Sequence, residues 1–187
     1  MYFKFLLSLC LFFTLSLFGA HHESTKKAEY SKEQIIKIAM SAAPSNVSLE
    51  ATIIDSNGKT LRKGTNGWTC MPGTPPNENV NPMCVDKAWQ KWLKAYMDKT
   101  PYNSEDEAFG MSYMLVGDQA VDNDDPLNTD KSIGTWIAEG PHIMILLPES
   151  LMSNLPTDPY SGGPYVMWKG TEFVHMMVPL ETTKPLN

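Results

Sequence analysis

Apolar residues recur at helical spacing in two parts of the chain. The first part begins at Ser31, which forms an S-x-x-Q capping box with Gln34, and ends before Pro44. The second covers residues 85–97 and places its aromatic and aliphatic side chains on one face, with lysines off that face. The sequence therefore predicts two amphipathic helices.

Strands are predicted by short alternating or continuous apolar runs that are bounded by glycine or proline. An Asn57-Gly58 pair, typical of a hairpin turn, separates the first two of these runs. The predicted strands cover residues 47–54, 60–63, 111–116, 142–147, 165–168 and 173–178. Most connections between them are too short for helical crossovers. We therefore expect one α+β domain over residues 31–187, with a mainly antiparallel sheet and two or more helices packed on it.

The N-terminal residues 1–20 have the pattern of a secretory signal peptide. Lys4 precedes a largely apolar run that ends at Phe18, and the Gly-Ala pair that follows provides small residues for cleavage. The run is shorter than the roughly 20 residues that span a bilayer. We therefore expect a polar leader at residues 21–30, a mature protein with no membrane span, and a periplasmic or secreted location.

Two cysteines, Cys70 and Cys84, remain after removal of the predicted signal peptide. An even number of cysteines in an exported chain indicates a disulfide, because the compartments outside the cytosol are oxidising. The segment between them is rich in proline and asparagine, which predicts an irregular loop. We therefore expect a Cys70–Cys84 disulfide that closes this loop.

Composition and charge limit the classes of function. Hydrophobic residues make up 42% of the chain and charged residues 19%, which is enough apolar material for a packed core and excludes a disordered chain or a coiled-coil rod. The net charge of -6 argues against nucleic-acid binding, because neutralising phosphates requires a basic surface. The nucleophile elbow G-x-S-x-G, the zinc motif H-E-x-x-H and the phosphate loop G-x-x-x-x-G-K-[ST] do not occur. The sequence therefore leaves open whether the protein is an enzyme.

Two histidines in predicted strands are each followed by a methionine two residues later, giving the pairs His142/Met144 and His175/Met177. Residues two apart in a strand share a face, so these four side chains converge if the two strands pair in a suitable register. Imidazole and thioether groups are copper ligands, which makes copper a candidate cofactor. The alternatives are a histidine pair for acid–base chemistry and a purely structural pair. If both imidazoles face a shared open cleft, a metal or acid–base site is favoured. If both are buried and bonded to backbone carbonyls, the structural role is favoured.

Three aromatic residues flank loops that are rich in glycine and proline, namely Trp136, Tyr160 and Tyr165. Aromatic side chains at such positions either line a ligand site or belong to the core. We therefore group them with His142 and His175 as candidate ligand-binding residues.

Several short motifs resemble those of a group of exported bacterial proteins of unknown function. They are NGWTCMP at residues 66–72, PMC at 82–84, GPHIM at 140–144 and TDPYSGGPYVMW at 157–168. The resemblance extends over residues 35–179 and implies a bacterial origin and export. It implies no activity, so it assigns no functional residue.

The sequence thus favours an exported single-domain binding or accessory protein, whose partner is an unknown small molecule or protein. One alternative is a copper-handling protein that uses His142 and His175 with Met144 and Met177. Another is an unrecognised hydrolase-like enzyme that uses the same two histidines.

Overall fold

The structure is a computed structural model that describes residues 30–73, 81–103 and 109–183. The predicted signal peptide and the predicted leader up to residue 29 lie outside the described residues, as does part of the segment between the two cysteines. None of the helices in the described ranges combines the length and the apolar character needed to cross a membrane.

Four helices and ten strands make up the described part of the domain. The helices are α1 (Lys32–Met40), α2 (Ser45–Ser48), α3 (Lys87–Asp98) and α4 (Glu149–Met152). The first five strands are β1 (Thr52–Ile54), β2 (Thr60–Arg62), β3 (Thr69–Met71), β4 (Met83–Val85) and β5 (Gly110–Met114). The others are β6 (Val121–Asp122), β7 (Trp136–Ile137), β8 (His142–Leu146), β9 (Tyr165–Met167) and β10 (His175–Pro179).

Eight of these strands form one sheet in the order β2-β1-β3-β4-β5-β8-β10-β9, and β6 pairs with β7 in a small second sheet. The pair β1–β3 is parallel and the other neighbouring pairs are antiparallel. The expected single α+β domain with a mainly antiparallel sheet is therefore confirmed.

The core divides between the two faces of the sheet. On one face, α3 packs over the central and C-terminal strands, and the largest cluster of buried apolar residues lies between them. On the other face, a smaller cluster lies between α1 and strands β1, β3 and β4. The faces of the sheet thus have different partners, and α3 packs on the face that carries both histidines.

The predicted disulfide is confirmed. Cys70 and Cys84 lie directly opposite each other on β3 and β4 and are joined by a disulfide, and neither side chain is exposed. Closing a loop of this length contributes about 3 kcal/mol in the chain-entropy description. The disulfide lies on the α1 face of the sheet, away from the histidines.

The structure differs from the sequence prediction in two places near these cysteines. Residues 47–54 do not form one strand, because the helical turn α2 takes up residues 45–48 after Pro44. The helix predicted from residue 85 begins two residues later, because Asp86 caps it and Val85 belongs to β4. The segment before Asp86 thus adds a strand to the sheet, where the sequence predicts an irregular loop.

Candidate functional site

One side chain fixes α3 to the sheet. The Asp86 carboxylate accepts hydrogen bonds from the backbone N–H of Trp89 at 3.0 Å and from that of Met111 at 2.7 Å. The first bond caps the helix and the second ties its N-terminus to β5. The face of α3 that carries Trp89, Trp92 and Tyr96 is thereby held over the sheet.

An aromatic layer lies between α3 and the C-terminal strands. The rings of Trp92, Tyr96 and Trp168 are nearly parallel, with centroids 5.4–5.8 Å apart. The His175 ring contacts Trp89, Trp92 and Trp168 edge-on, with centroids 5.0–5.5 Å apart. Stacked and edge-on arrangements are both favourable for aromatic rings. This layer therefore fixes the orientation of the His175 imidazole.

Trp168 enters this layer from an unusual backbone conformation. Its φ of 56° lies in the left-handed region, which costs a bulky residue about 1–2 kcal/mol. The conformation is held by hydrogen bonds from its indole Nε1 to the Asp122 carbonyl at 2.6 Å and from its backbone N–H to the Asn123 carbonyl at 3.0 Å. Backbone strain of this kind concentrates at ligand sites, where it positions a side chain.

A cavity of about 140 Å³ lies beneath the aromatic layer, between α3 and the sheet. Its volume is close to the roughly 150 Å³ of an engineered apolar cavity that holds benzene. Most of its lining is apolar and buried. The apolar and aromatic lining residues are Met83, Trp89, Trp92, Leu93, Tyr96, Val121, Met144, Met167, Trp168 and Met177.

Three polar residues complete the lining, namely Asn81, Asp118 and His175. The Asn81 amide donates a hydrogen bond of 3.0 Å to the Asp118 carboxyl group, which also accepts one of 2.6 Å from the Gln119 backbone N–H. Part of Asp118 reaches the surface, but its carboxyl group is surrounded by protein, and this burial raises its pKa. The nearby His142 imidazole and the two hydrogen bonds act in the opposite direction and lower the pKa of Asp118. The cavity thus contains one acidic group that is held in place by hydrogen bonds.

The two histidines lie on neighbouring strands and on the same face of the sheet. Strands β8 and β10 are antiparallel neighbours, with Met144 opposite Met177 and His142 opposite Pro179. His175 starts β10, so the two histidines lie at opposite ends of this pairing. His175 lines the cavity, whereas His142 does not. The register therefore brings Met144 and Met177 together and places His142 at the opposite end of the strand pair from His175.

Both imidazoles are buried and bonded to the backbone in the same way. The Nδ1 of His142 lies 2.7 Å from the Gly140 carbonyl oxygen, and the Nδ1 of His175 lies 2.9 Å from that of Phe173. Because a carbonyl oxygen only accepts, each Nδ1 carries the proton of its bond. Burial lowers the pKa of the His175 imidazole, so this ring is neutral near pH 7 and has its lone pair on Nε2. Burial together with a bond to a backbone carbonyl is what we expect of a structural histidine. Both rings therefore have a structural role through Nδ1. Their Nε2 atoms stay available for another role.

No family model, no curated protein and no solved structure matches this chain. The site is therefore interpreted from its own geometry.

The other candidate residues do not line the cavity. Trp136 is half-buried on β7, where its indole N–H donates to the Ile133 carbonyl at 2.6 Å. Tyr160 is exposed on a loop. Tyr165 is buried opposite Met177 on β9, and its hydroxyl group donates to the Glu139 carboxylate at 2.9 Å. Of these three aromatic residues, Tyr165 belongs to the core beside the cavity, whereas Trp136 and Tyr160 do not belong to that core cluster.

The cavity lining does not support the hydrolase-like alternative. The lining residues include no serine, threonine or cysteine that could act as a nucleophile. The histidines are oriented by backbone carbonyls, whereas the base of a catalytic triad is oriented by a carboxylate. Nor do the described residues contain a group of three or more histidine, cysteine, aspartate or glutamate side chains arranged to hold a metal ion.

Burial of His175 makes the stability of the protein depend on pH. Burial lowers the pKa of the His175 imidazole to about 4, from an ordinary value near 6.5. Between these two values the unfolded chain binds more protons than the folded one, so stability falls as the pH falls from about 6.5 to about 4. We expect the contribution of His175 to the free energy of unfolding to be about 2–3 kcal/mol smaller at pH 4.5 than at pH 7.5.

Urea unfolding of the wild type and of His175→Phe at both pH values measures this contribution. Asp118 acts in the opposite direction, because its raised pKa favours proton uptake by the folded state at low pH. The variant keeps Asp118 and an aromatic ring at position 175, so the difference between the two proteins isolates the imidazole. An equal loss of stability in both proteins would show that His175 titrates normally in the folded state.

Proposed function

We propose that this chain is an exported ligand-binding protein and that the cavity between α3 and the sheet is its binding site. The carrying observation is the cavity itself, which is already formed, is mostly apolar and has a small number of fixed polar groups at one side. This combination is typical of small-molecule sites. The signal-peptide pattern at residues 1–20 and the buried Cys70–Cys84 disulfide support export.

Binding is favoured over catalysis by the way in which the site is built. The strained Trp168 and the three stacked rings shape the cavity, and the histidine and carboxyl groups are held by bonds that leave little freedom of movement. A rigid apolar cavity holds a ligand without a large ordering cost on binding. A reaction would require a nucleophile or a base with a suitable pKa, and His175 is too weak a base at neutral pH.

Benzene is a suitable probe for the cavity, because a cavity of about 140 Å³ is close in size to one that holds benzene. At ten times its Kd, benzene should raise the Tm of the wild type by about 3–6 °C, since a ligand that binds only the folded state stabilises it. Leu93→Trp places a larger side chain into the cavity and should abolish this rise. Differential scanning calorimetry with and without benzene measures it.

Leu151→Trp is the matched control, because Leu151 is 70% exposed on α4 and does not line the cavity. This variant should keep the full response to benzene. Val121→Phe fills the cavity from its half-buried edge and replaces Leu93→Trp if the latter does not fold. If the wild type does not respond to benzene, or if both cavity variants respond like the control, the cavity is not a binding site.

A further inference from the structure

Methionine residues are concentrated on the face of the sheet that α3 covers. Six of the twelve methionines lie there as buried strand residues, namely Met71, Met83, Met114, Met144, Met167 and Met177. The opposite face carries only two strand methionines among the described residues, Met111 and Met176, beside β-branched residues such as Ile143, Ile145 and Val166. Since β-branched residues are preferred in strands, the excess of methionine on the α3 face calls for a reason beyond strand formation.

Filling of irregular gaps is the ordinary reason for methionine in a core. Here, however, four of these six methionines line the same cavity, which is left unfilled by them. Methionines selected as gap-fillers would close such a space, because their side chains are flexible. These four methionines are therefore side chains that a ligand in the cavity would contact.

The pairing of β8, β10 and β9 brings three thioethers and one imidazole into a compact block. Met144 lies opposite Met177, and His175 lies opposite Met167. Directly opposite residues have Cβ atoms about 4.5–5.5 Å apart, and His175 and Met177 are successive residues on the same face of β10. All four residues line the cavity.

The His175 imidazole has the orientation of a metal ligand. Its Nδ1–H donates to the Phe173 carbonyl at 2.9 Å, so Nε2 carries the lone pair. Histidines that bind metals are commonly fixed by this kind of bond from the other ring nitrogen to a backbone carbonyl. The edge-on contacts with Trp89, Trp92 and Trp168 prevent the ring from turning away.

The types of donor atom and the charge of the cavity lining indicate which metal ion fits the cavity. Thioether groups are soft ligands that favour Cu(I), and imidazole also binds copper. Calcium and magnesium require oxygen ligands, of which the cavity offers few. Asp118 provides one carboxyl group in the same lining. A single positive charge is therefore matched by a single acidic group.

We propose that the cavity binds Cu(I) through the thioethers of Met144, Met167 and Met177 and the Nε2 of His175. This inference rests on the proposed binding function and names its ligand. It differs from the set expected from the sequence, because Met167 replaces His142, which lies at the far end of the strand pair.

The test is an anaerobic Cu(I) titration of the full mature protein in competition with bathocuproine disulfonate, with ascorbate as reductant and the disulfide checked by thiol counting. The wild type should bind one equivalent of Cu(I), and X-ray absorption should show sulfur and nitrogen ligands. Met177→Leu and His175→Phe should each weaken binding at least 10-fold, because each removes one ligand while keeping an apolar group of similar size.

Met152→Leu is the matched control. Met152 is buried to the same degree on α4 but belongs to a different cluster, so its replacement should leave the affinity unchanged. Cu(I) binding that is equally strong in Met177→Leu and His175→Phe would overturn this site. Absence of Cu(I) binding together with a normal benzene response would show that Cu(I) is not the ligand and would leave the proposed binding function in place. Absence of both Cu(I) binding and the benzene response would overturn both proposals.

Discussion

Replacing Gly64 by alanine should destabilise the protein by about 3–4 kcal/mol, at the upper end of the cost of an overpacked site. A Cβ atom at this position would lie 2.2 Å from the backbone of Ala51 and Thr52 and 2.3 Å from the Glu50 carbonyl oxygen. Backbone atoms cannot move aside as a flexible side chain can. The segment that leads into β1 would have to shift, although Ala51 is fully buried there.

The shift would also break bonds that join this segment to the chain after β2. The Gly64 N–H donates to the Thr52 hydroxyl group at 3.1 Å, and the Thr65 N–H donates to the Glu50 carbonyl at 2.8 Å. Thermal unfolding followed by circular dichroism should show a Tm about 6–16 °C below that of the wild type. The matched control is Gly163→Ala, because a Cβ atom there meets nothing within 4 Å. If Gly64→Ala has the same Tm as the control, the backbone of Gly64 does not lie as close to residues 50–52 as described.

The elements that the sequence predicts well are those with a local signal. The capping box at Ser31 is present, with both of its hydrogen bonds, and the hairpin turn at Asn57-Gly58 joins β1 to β2. The last two predicted strands also pair as β9 and β10. In each of these cases the residues that determine the structure are close together in the chain, so a short stretch of sequence is enough to predict the element.

The elements that the sequence misses depend on partners that are distant in the chain. β4 is a short strand in a segment that looks like a loop, and it forms because β3 and β5 lie on either side of it. Asp86 ends this strand and starts α3, in part through its bond to Met111, 25 residues away. No local pattern contains this bond, which explains why the start of α3 is predicted two residues too early.

In the candidate site, too, the features with a local sequence signal are predicted and those that depend on distant segments are not. Alternation along a strand correctly places His142 with Met144 and His175 with Met177, because residues two apart share a face. The register between the strands decides which of them meet across the pair, and it places the two histidines at opposite ends. Asn81 and Asp118 come from connecting segments that have no distinctive pattern. They join the site only because the fold brings these segments to one side of the cavity.

Loss of the Trp92 side chain should have the second large effect, since it is the centre of the aromatic layer. It is 3% exposed, and its ring contacts those of Trp89, Tyr96, Trp168, Phe173 and His175. Trp92→Ala removes these contacts and enlarges the cavity. We expect a loss of about 3–5 kcal/mol in the free energy of unfolding, as for other buried aromatic residues replaced by alanine. Urea unfolding followed by far-UV circular dichroism measures it.

Trp92→Phe distinguishes the contribution of the aromatic ring from that of the indole N–H. The indole Nε1 of Trp92 is buried and has no hydrogen-bond partner among the described residues, so phenylalanine sacrifices no bond. Its smaller ring should cost less than half as much as alanine. Tyr160→Ala is a useful comparison, because Tyr160 is exposed and its removal should change stability by less than about 0.5 kcal/mol. If Trp92→Phe were as destabilising as Trp92→Ala, the indole N–H would have to form a bond that stabilises the fold. If both were harmless, the aromatic layer would not contribute to holding α3 over the cavity.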